Sequence, residues 1–230
     1  MREVEARVCQ ERLKRDFFAR DGITVAKELL GKTLVHETPM GTVKGIITEV
    51  ESYMGETDKG SHTYGGKRTE RTEPMYHQGG TSYVYLIYGM YSCMNIAVMT
   101  EGTPQAVLLR RVVPAEEESR RLMTALRLEV LNRKQIKKEK PIYTQEHYPP
   151  SLKKHLADGP GKLCIAMGIT RADNDIDMVE SNTFYVTEGI PVRKKQIMAG
   201  KRIGIDYAEE AADYLWRFYI DENTRLLHGM

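Results

Sequence analysis

The alternation of apolar and polar residues predicts strands through the first half of the chain. Runs in which β-branched or aromatic residues alternate with polar ones, with turn residues between the runs, are typical of strands. They occupy residues 33–36, 43–53, 82–87, 92–98 and 106–113. A turn at Tyr88-Gly-Met90 separates two of these runs, so we expect a β-hairpin that protrudes from the sheet.

Helical signals lie before, between and after these strands. Caps, stops and apolar residues three or four positions apart mark their bounds. The predicted helices are residues 4–18, residues 25–30 with Thr24 as the cap and Gly31 as the stop, a helix that begins at Pro114 with Leu122, Leu126 and Val130 as its apolar stripe, and a short helix from Pro160 to about Gly168. Strands and helices follow each other without a regular βαβ rhythm, so the predicted fold class is α+β.

Length and composition fit one domain. With 230 residues, of which 41% are hydrophobic and 29% charged, the chain can bury a sizeable core. We expect a single domain over residues 1–230, in which residues 132–157 form a basic surface insertion. The formal net charge of +2 does not indicate a polyanionic partner, so any contact with nucleic acid must rest on local clusters of Lys and Arg.

The cysteines and the lengths of the apolar runs indicate the cellular compartment of the protein. Cys9, Cys93 and Cys164 are far apart and odd in number, which is typical of a reducing compartment rather than of a disulfide framework. The chain starts with a charged segment that lacks the apolar region of a signal peptide, and no apolar run reaches membrane-spanning length. We therefore expect a cytoplasmic protein with no membrane partner, associated with the nucleoid if the source is prokaryotic.

One predicted strand carries the best candidate for chemistry. Side chains alternate along a strand, so Glu49, Glu51 and Tyr53 share one face. A carboxylate beside an aromatic ring can set a general base next to a flat substrate, but the same residues also fit the solvated polar face of an edge strand. A metal site that added Asp58 and His62 to these carboxylates matches no known ligand spacing, and we predict none.

Two unusual segments follow that strand. Residues 55–80 form a Gly-rich, charged loop without any period, and loops of this length are more often functional than idle. The hairpin after it carries Tyr83, Tyr85, Tyr88 and Tyr91. Cross-strand aromatic pairing in a sheet explains the first two, but a bulky apolar tip is a liability in water unless it enters a base stack.

Four cationic residues are candidates for phosphate contacts. Lys67, Arg68 and Arg71 lie in the long loop, and Lys162 ends the segment that begins at Gly159. That segment lacks the spacing of a nucleotide triphosphate loop, although the helix N-terminus behind it could receive a backbone phosphate. Each of these cations could equally belong to a solvated surface.

Five segments together resemble one known family. They are ITEVESYMGETDKGSH, YGGKRTERTEPMY, GTSYVYLIYGMYSCMNIAV, VLLRRV and GPGKLCIAMGI, in this order. The set is similar to the alkyladenine (3-methyladenine) DNA glycosylases that lack a helix-hairpin-helix motif, and the similarity runs from about Phe17 to Tyr219. Residues 132–157 depart from the family pattern, because they are longer and more basic than we expect.

The resemblance implies a fold, an activity and a partner. The implied fold is a curved antiparallel β-sheet surrounded by helices, and the implied activity is hydrolysis of the N-glycosidic bond of alkylated or deaminated purines in base-excision repair. The implied enzyme is a monofunctional DNA N-glycosylase that needs no metal or organic cofactor. Its partner is double-stranded DNA that contains damaged purines, on which it acts as a monomer.

The resemblance also implies roles for individual residues. The implied catalytic residues are Glu51, as the general base, and Arg110, which helps to hold the nucleophilic water. The implied base pocket consists of Tyr53, His62, Tyr85 and Asn95, the last of which disfavours the amino group of guanine. The implied intercalating residues are Tyr88 and Met90.

Two other functions stay open from the residues alone. The same aromatic side chains could form the stacking platform of a non-catalytic protein that binds single-stranded nucleic acid. Glu49 and Glu51 could be the paired acid and base of a carbohydrate glycosidase, although two carboxylates on one face of one strand would lie on the same side of a sugar.

Overall fold

One curved sheet organises the fold. The computed structural model describes residues 11–221, which form an 8-stranded sheet with helices packed against it. The strands are β1 (Thr33–Thr38), β2 (Gly41–Tyr53), β3 (Ser82–Ile87), β4 (Tyr91–Val98), β5 (Gln105–Pro114), β6 (Phe184–Thr187), β7 (Ile197–Gly200) and β8 (Arg217–Ile220). The α-helices are α1 (Arg15–Phe18), α2 (Gly22–Leu29), α3 (Glu117–Ile136), α4 (Pro150–Lys154) and α5 (Pro160–Met167).

The long strand β2 pairs with three neighbours, all of them antiparallel. Strand β5 runs along most of its length, β1 pairs with its first half, and β8 pairs with its second half. The register between β2 and β5 shifts around Thr48, and such a bulge bends a strand and increases its twist. The resulting order, β3-β4-β5-β2-β1-β6 with β7 and β8 attached beyond the bulge, confirms the predicted α+β fold with a curved antiparallel sheet.

The helices cover one face of the sheet. Helices α2, α3 and α5 contact β2 and β5, and the core between them includes the fully buried Leu29, Ile47, Leu109 and Leu163. Each such aliphatic side chain contributes about 1.5–3 kcal/mol when it leaves water. The opposite face of β2–β5 is free for polar and aromatic side chains. None of the described helices has the length and hydrophobicity that a membrane span requires.

The predicted N-terminal helix is wrong where the structure describes it. Residues 4–10 lie outside the described residues, and from residue 11 onward only Arg15–Phe18 is helical. The chain before it is extended, because the Leu13 N–H donates to the Val186 carbonyl and so adds this segment to the edge of β6.

Helix α2 begins two residues before the predicted cap. Its first residue is Gly22, and the side chain of Asp21 accepts the Thr24 N–H at 3.0 Å. Asp and Thr are both good N-cap residues. Asp21 takes the position because the chain leaves its extended conformation there, and Thr24 lies inside the helix.

Helix α3 begins at Glu117 rather than at Pro114, because Pro114 is the last residue of β5. The predicted apolar stripe is only partly buried and packs against the edge of the core. Its members are Leu122, Leu126 and Val130. Met123 is fully buried instead, so the face that enters the core is rotated by about one position from the prediction.

Residues 132–157 lie along the surface, and a few of their apolar side chains pack into the core. Helix α3 extends into this segment, and α4 follows it. Leu152 and Leu156 belong to the buried core, whereas the side chains of Lys137, Lys138 and Lys140 are exposed. The segment is therefore fixed by its apolar residues while its charges face solvent.

Candidate active site

The open face of the sheet forms the floor of a cavity of about 340 Å³. The floor comes from β2–β5, one wall comes from the long loop around His62, and the other wall comes from residues 203–207. The hairpin tip lies at the rim. Sites for small molecules commonly measure about 300–1,000 Å³, so the cavity can hold one flat molecule of modest size.

The carboxylate of Glu51 has no exposed surface and lies behind Tyr53 and Arg110, which line the cavity. Its Oε2 accepts a hydrogen bond from the Tyr53 hydroxyl at 2.9 Å. Its Oε1 accepts the Ile203 N–H at 2.8 Å and lies 3.1 Å from Nη1 of Arg110. The predicted alternation along β2 is confirmed, because Glu51 and Tyr53 reach the same side of the sheet.

Two opposing effects act on this carboxylate. Burial raises the pKa of Glu51 above its usual range, while Arg110, the Ile203 N–H and the Tyr53 hydroxyl act in the lowering direction. The raised pKa makes Glu51 a stronger base than an exposed glutamate, and the partners hold its ionised form in one geometry. The arrangement suits a group that takes a proton from a bound water.

Glu49 shares its arginine with Glu51. Nε of Arg110 lies 3.1 Å from Glu49 Oε1, and Nη1 of Arg217 lies 3.0 Å from the same oxygen. The two carboxylates flank one guanidinium and do not face each other across an open cleft. This geometry does not fit the separated acid and base of a carbohydrate glycosidase.

The long loop folds back over the cavity, as the role predicted for His62 requires. The ring of His62 meets Tyr85 edge-on at 4.7 Å between centroids, and its Nδ1 lies 2.9 Å from the Tyr83 hydroxyl. Burial, together with the charges of Arg71 and Lys67, lowers the pKa of His62 to about 4. His62 is therefore neutral at neutral pH and offers one donor or acceptor to the cavity.

The three other predicted pocket residues also line the cavity. The ring of Tyr53 lines the cavity, and Tyr85 lines it from β3. Asn95 on β4 is buried at the cavity, and its Nδ2 donates to the Tyr83 carbonyl at 3.1 Å. That bond fixes the orientation of the amide, so Asn95 presents a defined polar edge to whatever enters.

The hairpin tip projects two apolar side chains into solvent. Tyr88 is 87% exposed and Met90 is 70% exposed. The Met90 N–H donates to the Ile87 carbonyl across a turn in which Tyr88 has φ 51° and Gly89 has φ 66°. A positive φ is costly for a bulky residue, and such strain clusters at functional sites.

The four predicted phosphate-binding cations differ in their surroundings. Lys67 is exposed and makes no ion pair within residues 11–221. Arg71 lies 5.0 Å from the centre of the Tyr85 ring, beside the cavity. Arg68 forms a two-point ion pair with Glu73, and Lys162 bonds to Asp158 at 2.9 Å. Two of the four are therefore already neutralised by carboxylates.

Sequence reasoning missed the loop that closes the site from the C-terminal side. Arg202 is fully buried against Asp58, and its guanidinium lies 4.7 Å from the centre of the Tyr53 ring. The next residue, Ile203, supplies the N–H on Glu51. This segment has no pattern of its own, and its partners lie about 150 residues away in sequence. Sequence reasoning also missed the hydroxyl of Tyr83, which contacts His62 in the site. The sequence explains Tyr83 only by aromatic pairing within the sheet.

The four side chains that were considered as metal ligands all make other contacts. Glu49 and Glu51 bind Arg110, Asp58 binds Arg202, and His62 bonds to Tyr83. Within the described part of the chain, no group of three or more His, Cys, Asp or Glu side chains is arranged to hold a metal ion.

Comparisons with known proteins agree with the site. A family model described as methylpurine-DNA glycosylase matches residues 16–224. A protein of Clostridium perfringens is 46% identical over 213 residues, which cover 92% of this chain and 97% of that protein. A protein of Clostridium acetobutylicum is 47% identical over 212 residues, which cover 92% and 95%. Both relatives are provisionally named 3-methyladenine DNA glycosylase.

A third relative, from Clostridium tetani, is 45% identical over 212 residues and carries the same provisional name. These matches span nearly the whole length of each relative, so they concern most of the chain rather than one motif. They confirm the resemblance found in the sequence. The chain belongs to the methylpurine-DNA glycosylase family, and it is a DNA N-glycosylase of base-excision repair.

Proposed function

We propose that this protein hydrolyses the N-glycosidic bond of alkylated or deaminated purines that have been flipped out of duplex DNA. The product is an abasic site in an intact strand. The observation that carries the proposal is the buried Glu51 carboxylate, whose partners Tyr53, Arg110 and Ile203 all line the cavity. Its three partners hold it ready to activate a water.

The aromatic cavity receives the flipped base. Extrusion of a nucleotide from a duplex costs a few kcal/mol, and stacking on aromatic side chains returns about 1–3 kcal/mol per base. Damage weakens pairing and stacking, so a lesion costs less to flip than a normal base. A purine that carries positive charge after alkylation also gains from the electron-rich faces of Tyr53 and Tyr85.

The hairpin tip fills the gap that the flipped base leaves. Tyr88 and Met90 are exposed and apolar, and the paired strands β3 and β4 carry them at the rim of the cavity. Insertion of an apolar wedge between base steps limits the collapse of the stack. The same insertion removes both side chains from water, which offsets part of the cost of flipping.

The chemical step is attack of water on the anomeric carbon. Glu51 takes a proton from the water while the oxygen bonds to C1′, and the bond between C1′ and the purine nitrogen breaks with its electron pair leaving on the base. The negative charge of Glu51 stabilises the positive charge that develops on the sugar. Arg110 orients the water and holds Glu51 in its ionised form by opposite charge.

Selectivity among purines comes from the polar edges of the cavity. Asn95 has its amide fixed by the Tyr83 carbonyl, so a guanine amino group in contact with it meets a rigid polar group rather than an adaptable one. The neutral His62 supplies a further directional contact. Phosphates beside the lesion are contacted by Lys67 and Arg71 in preference to Arg68 and Lys162.

The working form is a monomer that uses no cofactor and acts on DNA in the cytoplasm, at the nucleoid in a prokaryotic cell. A protein that only binds single strands is the weaker alternative, because it has no use for a buried carboxylate with three partners.

The test is incubation of the protein with duplex DNA that contains a methylated purine, in the presence and absence of a chelator. We expect free base and alkali-labile sites in both arms, with no strand break before alkali. Equal binding to undamaged single strands without release of base would reject the enzyme and favour the alternative.

A further inference from the structure

Arg202 and Asp58 form an ion pair that is completely removed from solvent, with both side chains 0% exposed. The guanidinium binds both carboxylate oxygens of Asp58, with Nη2 to Oδ1 at 2.8 Å. It also donates to the carbonyls of Ser52, at 3.1 Å, and Ala211, at 3.2 Å. Neither member of the pair lines the cavity.

The pair nevertheless connects the segments that build the cavity. Asp58 accepts the N–H of Met54 at 3.0 Å and that of Gly60 at 2.9 Å. These bonds fix the chain where it leaves β2 and where it enters the wall that carries His62. Arg202 fixes the opposite wall, because the next residue along the chain lines it.

Arg202 packs against one of the two neutral donors that hold the general base and directly precedes the other in the chain. Its guanidinium packs against two rings, 4.7 Å from the centre of Tyr53 and 5.0 Å from the centre of Trp216. The Tyr53 hydroxyl bonds to one oxygen of Glu51, and the Ile203 N–H bonds to the other oxygen. One anchored residue therefore packs against the tyrosine ring and is bonded directly to the amide of Ile203.

Stability alone is a poor reason for such a pair. Two charges that leave water lose hydration that their mutual attraction seldom returns in full, so a buried ion pair is weak evidence for stabilisation. In addition, the buried Nε of Arg202 has no hydrogen-bond partner among the described residues. An arrangement that is costly and rigid, and that lies directly behind reactive groups, is typical of a role in positioning.

We infer that Arg202, held by Asp58, is a positioning residue of the glycosylase reaction, which sets the Tyr53 hydroxyl and the Ile203 N–H on the carboxylate of Glu51. The inference rests on the proposed function, because it assigns Glu51 as the general base. It adds to that function a residue that acts without touching either the base or the water.

Arg202 also contributes charge at a distance from the carboxylate. Its positive charge acts to lower the pKa of Glu51 and of Tyr53, in the direction opposite to burial. The charged or titratable groups around Glu51 are Tyr53 and Glu49 on β2, Arg110 on β5, Cys93 on β4, Arg217 on β8 and Arg202 itself. Removal of one of the nearby positive charges leaves the others in place.

The test compares single-turnover excision against pH for the wild-type protein, Arg202→Gln, Arg202→Lys and the double variant Arg202→Gln/Asp58→Asn. We expect Arg202→Gln to reduce the single-turnover rate by about 10–100-fold, as small misplacements of a reacting group do. The acid limb of its pH–rate profile, where the rate rises as the general base becomes ionised, shifts to higher pH. Its affinity for lesion-containing duplex changes by a few-fold at most. The double variant neutralises both members of the pair, so it leaves no unpaired buried charge. We expect its acid limb to stay shifted to higher pH.

Arg202→Lys separates charge from geometry. We expect it to restore the acid limb to the wild-type position, because the charge returns, but to leave the rate reduced, because an ammonium cannot reproduce the planar two-point contact. Arg12→Gln is the matched control. Arg12 also stacks on a tyrosine, with 4.2 Å to the Tyr185 ring, and also has a buried Nε without a partner, but it lies away from the cavity.

The possible outcomes are distinct. The inference would be overturned if folded Arg202→Gln and the folded double variant both kept the wild-type single-turnover rate and acid limb. It would also be overturned if Arg12→Gln shifted the acid limb as much as Arg202→Gln. Loss of folding in all three Arg202 variants, with Arg12→Gln still folded, would assign the pair to stability alone and also overturn it. If the wild-type protein released no base, the proposed function itself would fail before any variant was compared.

Discussion

The Tyr53 hydroxyl donates a 2.9 Å hydrogen bond to Glu51, two residues earlier on the same strand. Alternation along β2 puts both side chains on the cavity face, so the local sequence alone creates a carboxylate supported by a tyrosine. The same tyrosine lines the cavity, while the guanidinium of Arg202 packs against its ring at 4.7 Å from the ring centre. A proton acceptor and a stacking surface thus come from adjacent positions on one side of one strand.

The first prediction concerns the pH dependence of base release. The general base must be ionised, so the rate rises with pH through the pKa of Glu51 and levels off above it. Because burial raises that pKa, we expect the acid limb to lie above the range of an ordinary glutamate. His62, with a pKa of about 4, remains neutral over this limb and does not contribute to it.

Single-turnover excision measured from acid to neutral pH checks this prediction. A limb at or below the usual pKa of glutamate would show that burial does not control the base. The alkaline side should stay flat, because burial and the neighbouring Glu51 charge raise the pKa of Tyr53 well above its usual value and keep its hydroxyl a donor.

The second prediction concerns the hairpin tip. Tyr88→Ala and Tyr88→Gly both remove the wedge, and we expect each to lower excision from duplex DNA by about tenfold, as loss of one stacking contact worth about 1–3 kcal/mol implies. Excision from an already unpaired lesion should change less. The glycine variant controls for the turn, because glycine accepts the positive φ of 51° without a clash.

The unfolding free energy of Tyr88→Gly should stay within about 1 kcal/mol of the wild-type value, because relief of the left-handed conformation offsets the added entropy of the unfolded chain. Thermal or denaturant unfolding measures this. Unchanged excision from paired duplex in both variants would remove the wedge from the mechanism.

The third prediction concerns the phosphate contacts. Each phosphate contact to a duplex contributes about −0.9 to the slope of log Kobs against log salt. We expect Lys67→Ala to lose about one such contact, because Lys67 is exposed and unpaired within the described residues. Arg68→Ala and Lys162→Ala should change the slope less, because Glu73 and Asp158 already neutralise these cations.

Binding titrations of lesion-containing duplex at several salt concentrations measure the slopes. Lys67→Arg is the control that keeps the charge and should keep the slope. A larger loss in Arg68→Ala than in Lys67→Ala would mean that DNA breaks the ion pair with Glu73 on binding.

The local alternation of residues predicts much of the site, but it does not predict the C-terminal loop that completes the site. The face shared by Glu51 and Tyr53 follows from strand alternation, and the hairpin follows from two alternating runs around a turn. The N–H of Ile203 on Glu51 could not be predicted, because it joins residues 152 positions apart in a loop without any period. The same holds for the ion pair between Asp58 and Arg202, which are 144 positions apart.

The wrong boundaries in the fold have a common physical origin. Arg12 and Leu13 look helical by composition, yet they extend the sheet because β6 offers an unpaired edge. Pro114 looks like a helix start, yet it ends β5 because the strand continues to pair with β2 up to that point. In each case long-range pairing outweighed a local signal that was itself valid.

The most direct test of the mechanism is single-turnover excision by Glu51→Gln on duplex DNA that contains one methylated purine. The substitution keeps the size of the side chain and removes its charge and its basicity. We expect lesion binding within about tenfold of wild type and a loss of base release of about 10²–10⁴-fold, the usual contribution of a general base. Base release at the wild-type rate by a folded Glu51→Gln protein would contradict the assignment of Glu51 as the group that activates water.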